Sequence, residues 1–143
     1  MNDSYVILSD KAKLDIEIIH NFLCYNSYWA KGISKEIVEK SIVYSALCFG
    51  VYKKNKSGQL GEQIGFARVI SDLSTFAYIA DVFILPNHRK KGLSKKLIKT
   101  IVEHPDLKYI RRAMLATKDA HNLYSKFGFK EIANINLFME LNK

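Results

Sequence analysis

Apolar positions along the chain follow two periods, and they switch between them at identifiable places. "SYVILS" (Ser4 to Ser9) is a short β-rich run and predicts a first strand. In "KLDIEIIHNFL" (Lys13 to Leu23) the apolar residues Leu14, Ile18, Ile19, Phe22 and Leu23 recur at helical spacing. "NSYWAKG" (Asn26 to Gly32) breaks that spacing and reads as a loop. A second helix follows from Ser34, a good N-cap, with Ile37, Val38 and Ile42 on one face.

The period then changes to that of strands. Ala46–Tyr52, Gln63–Ser71 and Thr75–Leu85 are rich in β-branched and aromatic residues, and predict a three-strand meander. Its connections fall at Lys54–Gly61 and Ser71–Ser74. After Pro86 the helical period returns over Gly92–Glu103. Leu93, Leu97, Ile98, Ile101 and Val102 form its apolar face, Lys95, Lys96 and Lys99 lie opposite, and Pro105 stops it. Tyr109–Thr117 predicts a strand, and Asp119–Phe129 a helix capped by Asp119 and closed by Gly128. "EIANINLFMEL" (Glu131 to Leu141) predicts a final strand. The order β-α-α-β-β-β-α-β-α-β implies an α/β fold of α+β type: a central mixed sheet flanked by helices, with one crossover from the third meander strand to the strand at Tyr109.

Composition narrows the class. At 143 residues the chain is sized for a single domain spanning residues 1–143. Hydrophobic content of 48% and charged content of 25% are those of a globular protein. No apolar run approaches the ~20 residues that cross a bilayer, and the N-terminus lacks a signal-peptide layout, so a cytoplasmic location and no membrane partner are expected. Cys24 and Cys48 sit in apolar contexts and read as buried thiols. His20, His104 and His121 are too scattered to form a metal site, and no metal is expected.

The net charge of +8 favours anionic partners. It is concentrated in "PNHRKKGLSKKLIK" (Pro86 to Lys99), where a strand end meets a helix start. The first amides of a helix have no internal partner and sit at the positive end of its dipole, so such a junction suits phosphate. Gly92 lets the backbone approach an anion with no Cβ in the way. Arg89, Lys90 and Lys91 lie before the helix proper, where solvation of a helix face does not account for them. The later lysines read as that solvated face. The spacing is neither a P-loop nor a dinucleotide fingerprint.

"HRKKGLSKKL" after a strand resembles motif A of the GNAT superfamily of N-acetyltransferases, R/Q-x-x-G-x-G/A, with Arg89, Gly92 and Ser94 in the marked places. "LYSKFGF" (Leu123 to Phe129) resembles that superfamily's motif B, and the order of elements resembles its fold over nearly the whole chain. Ser94 replaces the usual Gly or Ala but is still small. Thr117 stands where many relatives have Asn.

The resemblance implies acetyl-CoA as donor. Its pyrophosphate would sit on Arg89, Lys90, Lys91, Gly92, Leu93 and Ser94. Its pantetheine arm would add like a strand beside the strand end at Val82–Leu85, with backbone groups of Phe83 and Leu85 pairing with it and Ile84 between them, and with Thr117, Asn122 and Tyr124 flanking the cofactor. Attack by a neutral amine on the thioester needs an oxyanion donor, for which backbone N–H groups near Phe83 or Ile84 serve. It also needs a proton for the departing thiolate, and Tyr124 holds the family's acid position. Asp81, in an otherwise apolar strand, and Asp72, at the preceding turn, are the candidate bases. For Asp81 the structural alternative is a bond to Arg68 or Arg111, and for Asp72 a turn-stabilising bond. Tyr28 and Trp29 are candidates for the acceptor wall.

The expected activity is transfer of an acetyl group to a primary amine of a small molecule. Transfer to a protein or peptide, or of another acyl group, stays open, as does a homodimer. A basic nucleic-acid-binding module is the reading from another class. It is disfavoured because the aromatics do not alternate with basic residues as on a stacking platform.

Overall fold

A computed structural model describes residues 4–143. Five strands form one sheet in the order β1-β2-β3-β4-β5: β1 Tyr5–Leu8, β2 Leu47–Lys54, β3 Leu60–Ser71, β4 Phe76–Ile84 and β5 Arg112–Leu115. The first four pair antiparallel and β5 joins β4 in parallel. A parallel neighbour needs a crossover, and α3 (Leu93–Val102) supplies it.

Strand alternation sends successive side chains to opposite faces of the sheet, and each face has its own core. Cys48, Phe66 and Phe83 face α1 (Ile16–Asn21) and α2 (Lys35–Tyr44), packing on Ile19, Phe22, Leu23, Val38 and Ile42. Their neighbours Phe49, Ala67 and Ile84 face α3 and α4 (His121–Ser125), packing with Leu93, Leu97, Ile98, Ile101 and Tyr124.

The helix ends follow side-chain caps. Asp15 caps α1 by accepting from the Ile18 amide at 3.3 Å, so the helix starts at Ile16, three residues after the expected Lys13. Ser34 caps α2 as expected, through the Ile37 amide at 3.2 Å. After Asn21 the first helix widens into a π turn, Phe22–Asn26, closed by the Ser27 amide on the Phe22 carbonyl at 3.0 Å. That turn releases the chain into the Ser27–Gly32 loop.

Five expectations need correction. Ile37 is exposed, since only Val38 and Ile42 of its helix reach the core. Cys24 is only partly buried, unlike Cys48, because it lies on the outer side of the π turn. Asp119 does not cap α4. The residue at that position is Ala120, whose amide is taken by Thr117 Oγ1 at 3.1 Å. The strand at Tyr109–Thr117 is reduced to Arg112–Leu115, the four residues that meet β4. Glu131–Leu141 forms no strand. It carries one 3-10 turn, Ile135–Leu137, and finds no sheet partner among the described residues.

Candidate active site

The site begins where β4 and β5 part. Their pairing runs from Phe76↔Arg112 to Ile79↔Leu115 and then ends, while β4 continues to Ile84. Beyond Ile79, β4 therefore has β3 on one side and an open edge on the other. A bulge lies in this stretch, between the Arg68↔Ala80 and Phe66↔Phe83 pairs, and Asp81 in it has φ +57°. A non-glycine residue rarely adopts that backbone unless its surroundings enforce it.

What holds Asp81 is a network of named partners. Arg68 Nε donates to Oδ2 at 2.9 Å and Trp29 Nε1 donates to Oδ1 at 2.9 Å. Arg68 also donates from Nη1 to Ser45 Oγ at 3.2 Å. Of the two alternatives for Asp81, Arg68 is the partner and Arg111 is not. With both oxygens engaged, its carboxylate ties the bulge to β3 and to the Ser27–Gly32 loop.

Asp72 has a local task. Its carboxylate accepts from the amides of Ser74, Thr75 and Phe76 at 3.0, 2.8 and 3.2 Å, and from Thr75 Oγ1 at 2.7 Å. Those bonds, led by Thr75, hold its pKa well below the usual carboxylate range. A carboxylate so satisfied is a poor proton acceptor, and its geometry is that of a turn residue.

Strand parity decides which backbone groups face the open edge. The Leu85 amide donates to the Ile64 carbonyl of β3 at 2.8 Å. Alternation then turns the N–H and C=O of Ile84 outward, and its carbonyl indeed accepts from Arg89 Nε at 2.8 Å. Leu85 is thus not available through its N–H, and Phe83 shares its parity. Phe83 instead stacks on Phe22, ring centroids 4.1 Å apart, in the core under α1. The expected choice of Phe83 and Leu85 as outward-facing is shifted by one residue, and Ile84 takes that place.

The open edge leads to the start of α3. Gly92 is its N-cap at φ +75°, in the left-handed region that favours glycine, and Lys90 precedes it at φ +64°. No side chain caps this end and no acidic residue lies in its first turn. A cleft of about 320 Å³ opens here, lined by Ile84, His88, Arg89, Lys90, Gly92, Leu93, Ser94 and Lys95. Lys91 is exposed and does not line it. His88 and Lys95 do, and the sequence reading missed both. His88 is fixed by a 2.8 Å bond between its Nδ1 and Tyr5 Oη. The only signal for it was its place in the same basic loop.

Across the gap stands α4. Tyr124 is 7% exposed, and burial, with a smaller contribution from Tyr28, pushes its phenol up to about 12. It therefore stays protonated throughout the neutral range. The Ser27–Gly32 loop spans the gap between these walls. Trp29 anchors it to β4 through Asp81, and Tyr28 Oη accepts from the Lys118 amide at 2.7 Å on the α4 side. The two rings meet edge to face at 5.0 Å. Thr117 accepts from the Ala120 amide just ahead of α4, and Asn122 lies exposed on that helix. Among the described residues no group of three or more His, Cys, Asp or Glu side chains could hold a metal, and no helix is long and apolar enough to cross a membrane.

Comparison with known proteins gives a consistent set. The family model for the acetyltransferase (GNAT) domain matches residues 45–131. A Gibberella zeae protein named as an acetyltransferase is 30% identical over 141 residues, covering 89% of this chain and 80% of its own length. The ycf52 protein of Porphyra purpurea, named an uncharacterized N-acetyltransferase, is 32% identical over 113 residues, covering 75% of this chain and 60% of its own. A crystal structure from Xanthomonas campestris pv. campestris, described as an acetyltransferase of the GNAT family, superposes with a TM-score of 0.90 at 43% identity, over 97% of this chain and 93% of that one. A GNAT acetyltransferase from Elizabethkingia anophelis, described with acetyl-CoA bound, superposes at 0.62 and 17% identity, over 90% of this chain and 77% of that one. At that identity the likeness concerns the fold alone.

Proposed function

The chain belongs to the GNAT family of acetyltransferases, and on that premise we propose that it moves an acetyl group from acetyl-CoA to the primary amine of a small molecule, with Tyr124 as the general acid. The observation that carries this reading is the free edge of β4 past Ile79, running straight to the uncapped, acid-free start of α3. An unpaired strand edge suits the amide-bearing arm of the donor, and a helix start ringed by Arg89, Lys90 and Lys95 suits its phosphates.

The donor supplies an activated acetyl thioester. The chain's part is to place it and to manage charge and protons. The outward N–H of Ile84 is available to the carbonyl oxygen as negative charge builds there. The amine nitrogen forms a bond to the carbonyl carbon, and the carbon–sulfur bond breaks. Tyr124 gives its proton to sulfur as that bond breaks and regains one through water from the amine, so no proton is gained or lost overall. With Asp72 bound into its turn and both Asp81 oxygens engaged, water serves as the first proton acceptor.

A small acceptor fits the way the Ser27–Gly32 loop bridges the gap, fastened on one side at Asp81 and on the other at Lys118. Tyr28 and Trp29 would form its wall. The test has two stages. Acetyl-CoA at about 100 times its dissociation constant should stabilise the fold by roughly 2.7 kcal/mol. A panel of small amines and lysine peptides should then release thiol with the small amines. Stabilisation by an oligonucleotide instead, lost in salt, would return the chain to the nucleic-acid class.

A further inference from the structure

Arg68 lies in β3, away from the open edge, and among the described residues its side-chain hydrogen bonds go to Asp81 and Ser45. The Arg68 and Asp81 side chains are 17% and 9% exposed, so the pair is largely buried. Desolvating two charges cancels most of their attraction, and apolar side chains of similar size often serve a fold as well, so stability alone does not account for this pair. Its placement suggests another task. Asp81 sits in the bulge of β4, and the oxygen that Arg68 leaves free, Oδ1, accepts from Trp29 Nε1 at 2.9 Å. At the other end Ser45 is the C-cap of α2, buried, with its Oγ donating to the Ser41 carbonyl at 2.6 Å. One hydrogen-bonded line thus runs from the end of α2 through β3 and β4 to the Ser27–Gly32 loop.

The loop depends on that line. Ser27 Oγ bonds back to the Leu23 carbonyl at 2.6 Å, and Tyr28 reaches Lys118. Among the described residues, Trp29 provides the loop's side-chain bond to the sheet. Its ring lies tilted against Phe22 and edge to face with Tyr28, at 6.3 and 5.0 Å between centroids, so the place of Trp29 also sets that of Tyr28. We propose that Arg68 and Asp81 are positioning residues for the acceptor: acting through Trp29, they fix the acceptor wall and so restrict the site to small amines. This rests on the acetyl-transfer reading given above. Neither residue exchanges a proton with the reacting groups. Arg68 turns the carboxylate so that Oδ1 faces the indole, and the indole holds the loop.

Trp29 is the single tryptophan of the chain, so its indole N–H reports this bond directly, with or without turnover. Asp81→Asn keeps the size of the side chain, and asparagine is common at a backbone of φ +57°. It leaves one oxygen for two donors, and the guanidinium takes it. Indole exchange, followed by nuclear magnetic resonance, should then speed up. Acceptor KM should rise about tenfold, the worth of one hydrogen bond, with turnover at saturating acceptor and acetyl-CoA affinity within about twofold of the parent. Bulkier amines should gain relative to small ones. Trp29→Phe should raise KM by the same factor, and adding Asp81→Asn to it should raise it no further. Arg68→Met/Asp81→Asn removes the competing donor and should return indole exchange and KM most of the way to the parent, a rescue that simple damage to the fold would not show. Indole exchange equal in the parent and Asp81→Asn overturns the proposal, as does an unmoved acceptor KM in Trp29→Phe, the variant that decides if Asp81→Asn does not fold. A fall in turnover of Asp81→Asn, with loss of the acidic limb of its pH profile, overturns it too, since Asp81 would then be the base. A parent that releases no thiol with any amine removes the acetyl-transfer reading and this proposal with it, a failure seen without any variant.

Discussion

The sheet has two edges that lack a partner on the same side, and they are built for different guests. Past Ile79 the edge of β4 is short, bulged at Asp81, and leads to glycine, basic side chains and free helix amides. The outer edge of β5 is flanked by alanine and aliphatic side chains with arginines only at its rim. The first is suited to a polar, anionic chain of small cross-section; the second has no glycine N-cap or free helix amides among its lining residues. The first edge follows from the short pairing of β5 with β4, four residues that leave β4 unaccompanied at its end; the second is open because, among the described residues, no strand lies beyond β5. Backbone pairing capacity alone therefore does not determine a ligand; the side chains around each edge do.

Substitutions can separate the two edges. The largest effect is expected across the gap from β4. Tyr124→Phe keeps the ring that packs on Phe129 but removes the proton donor, so turnover should fall by about 10²–10⁴-fold with acetyl-CoA affinity within about threefold of the parent. Parent-like turnover in steady-state kinetics would take Tyr124 out of the proton path. Because its phenol titrates near 12 rather than the ordinary 10, the pH profile of turnover should show no falling limb from Tyr124 below about pH 10. The same shift stabilises the fold fully below the unfolded pKa of about 10, and that contribution should fade between there and about 12. Tyr124→Phe should lack the fading, a difference visible in alkaline unfolding curves.

Ser94→Glu comes next. It places a carboxylate in the phosphate cleft, where a helix start otherwise welcomes an acid side chain. Calorimetric titration should show acetyl-CoA affinity reduced about 100-fold, with thermal stability unchanged or raised. Gly92→Glu is a less clean version of this test, because φ +75° would add backbone strain.

Arg89→Ala removes both a cleft wall and the bond to the Ile84 carbonyl, and should weaken acetyl-CoA about tenfold. Lys99→Ala, two turns along α3, should change it less than twofold. Equal losses in the two titrations would mean that the basic cluster acts only as a diffuse field. The smallest effect is expected from Arg112→Ala at the other edge. It should leave acetyl-CoA affinity unchanged, which would show that the donor does not use the β5 side.

Much of this was legible in the sequence because the signals were local. The switch from period two to helical period marked β4, α3 and their junction, and the Arg89–Ser94 run marked the anion site. What failed depended on partners distant in sequence. The alternation of Ile135, Leu137, Met139 and Leu141 is genuine, but a strand requires a partner, and among the described residues this segment pairs with none. The role of Asp81 required knowing that Arg68 and Trp29 converge on it from β3 and from a loop 52 residues away. The shift from Phe83 to Ile84 is a matter of strand parity, fixed by the Leu85 bond to Ile64. The cap position of α4 fell on Ala120 rather than Asp119, with the Ala120 amide held by Thr117, an arrangement that spacing alone could not resolve.

The central claim is that the open edge of β4 receives the donor, and amide exchange with and without saturating acetyl-CoA tests it most directly. The account predicts that the Ile84 amide and those of Leu93 and Ser94 slow on binding, while Phe83 and Leu85, already bonded toward β3, change little. Slowing confined to Arg112–Leu115, or no slowing at Ile84 in a protein shown to be saturated, would contradict it.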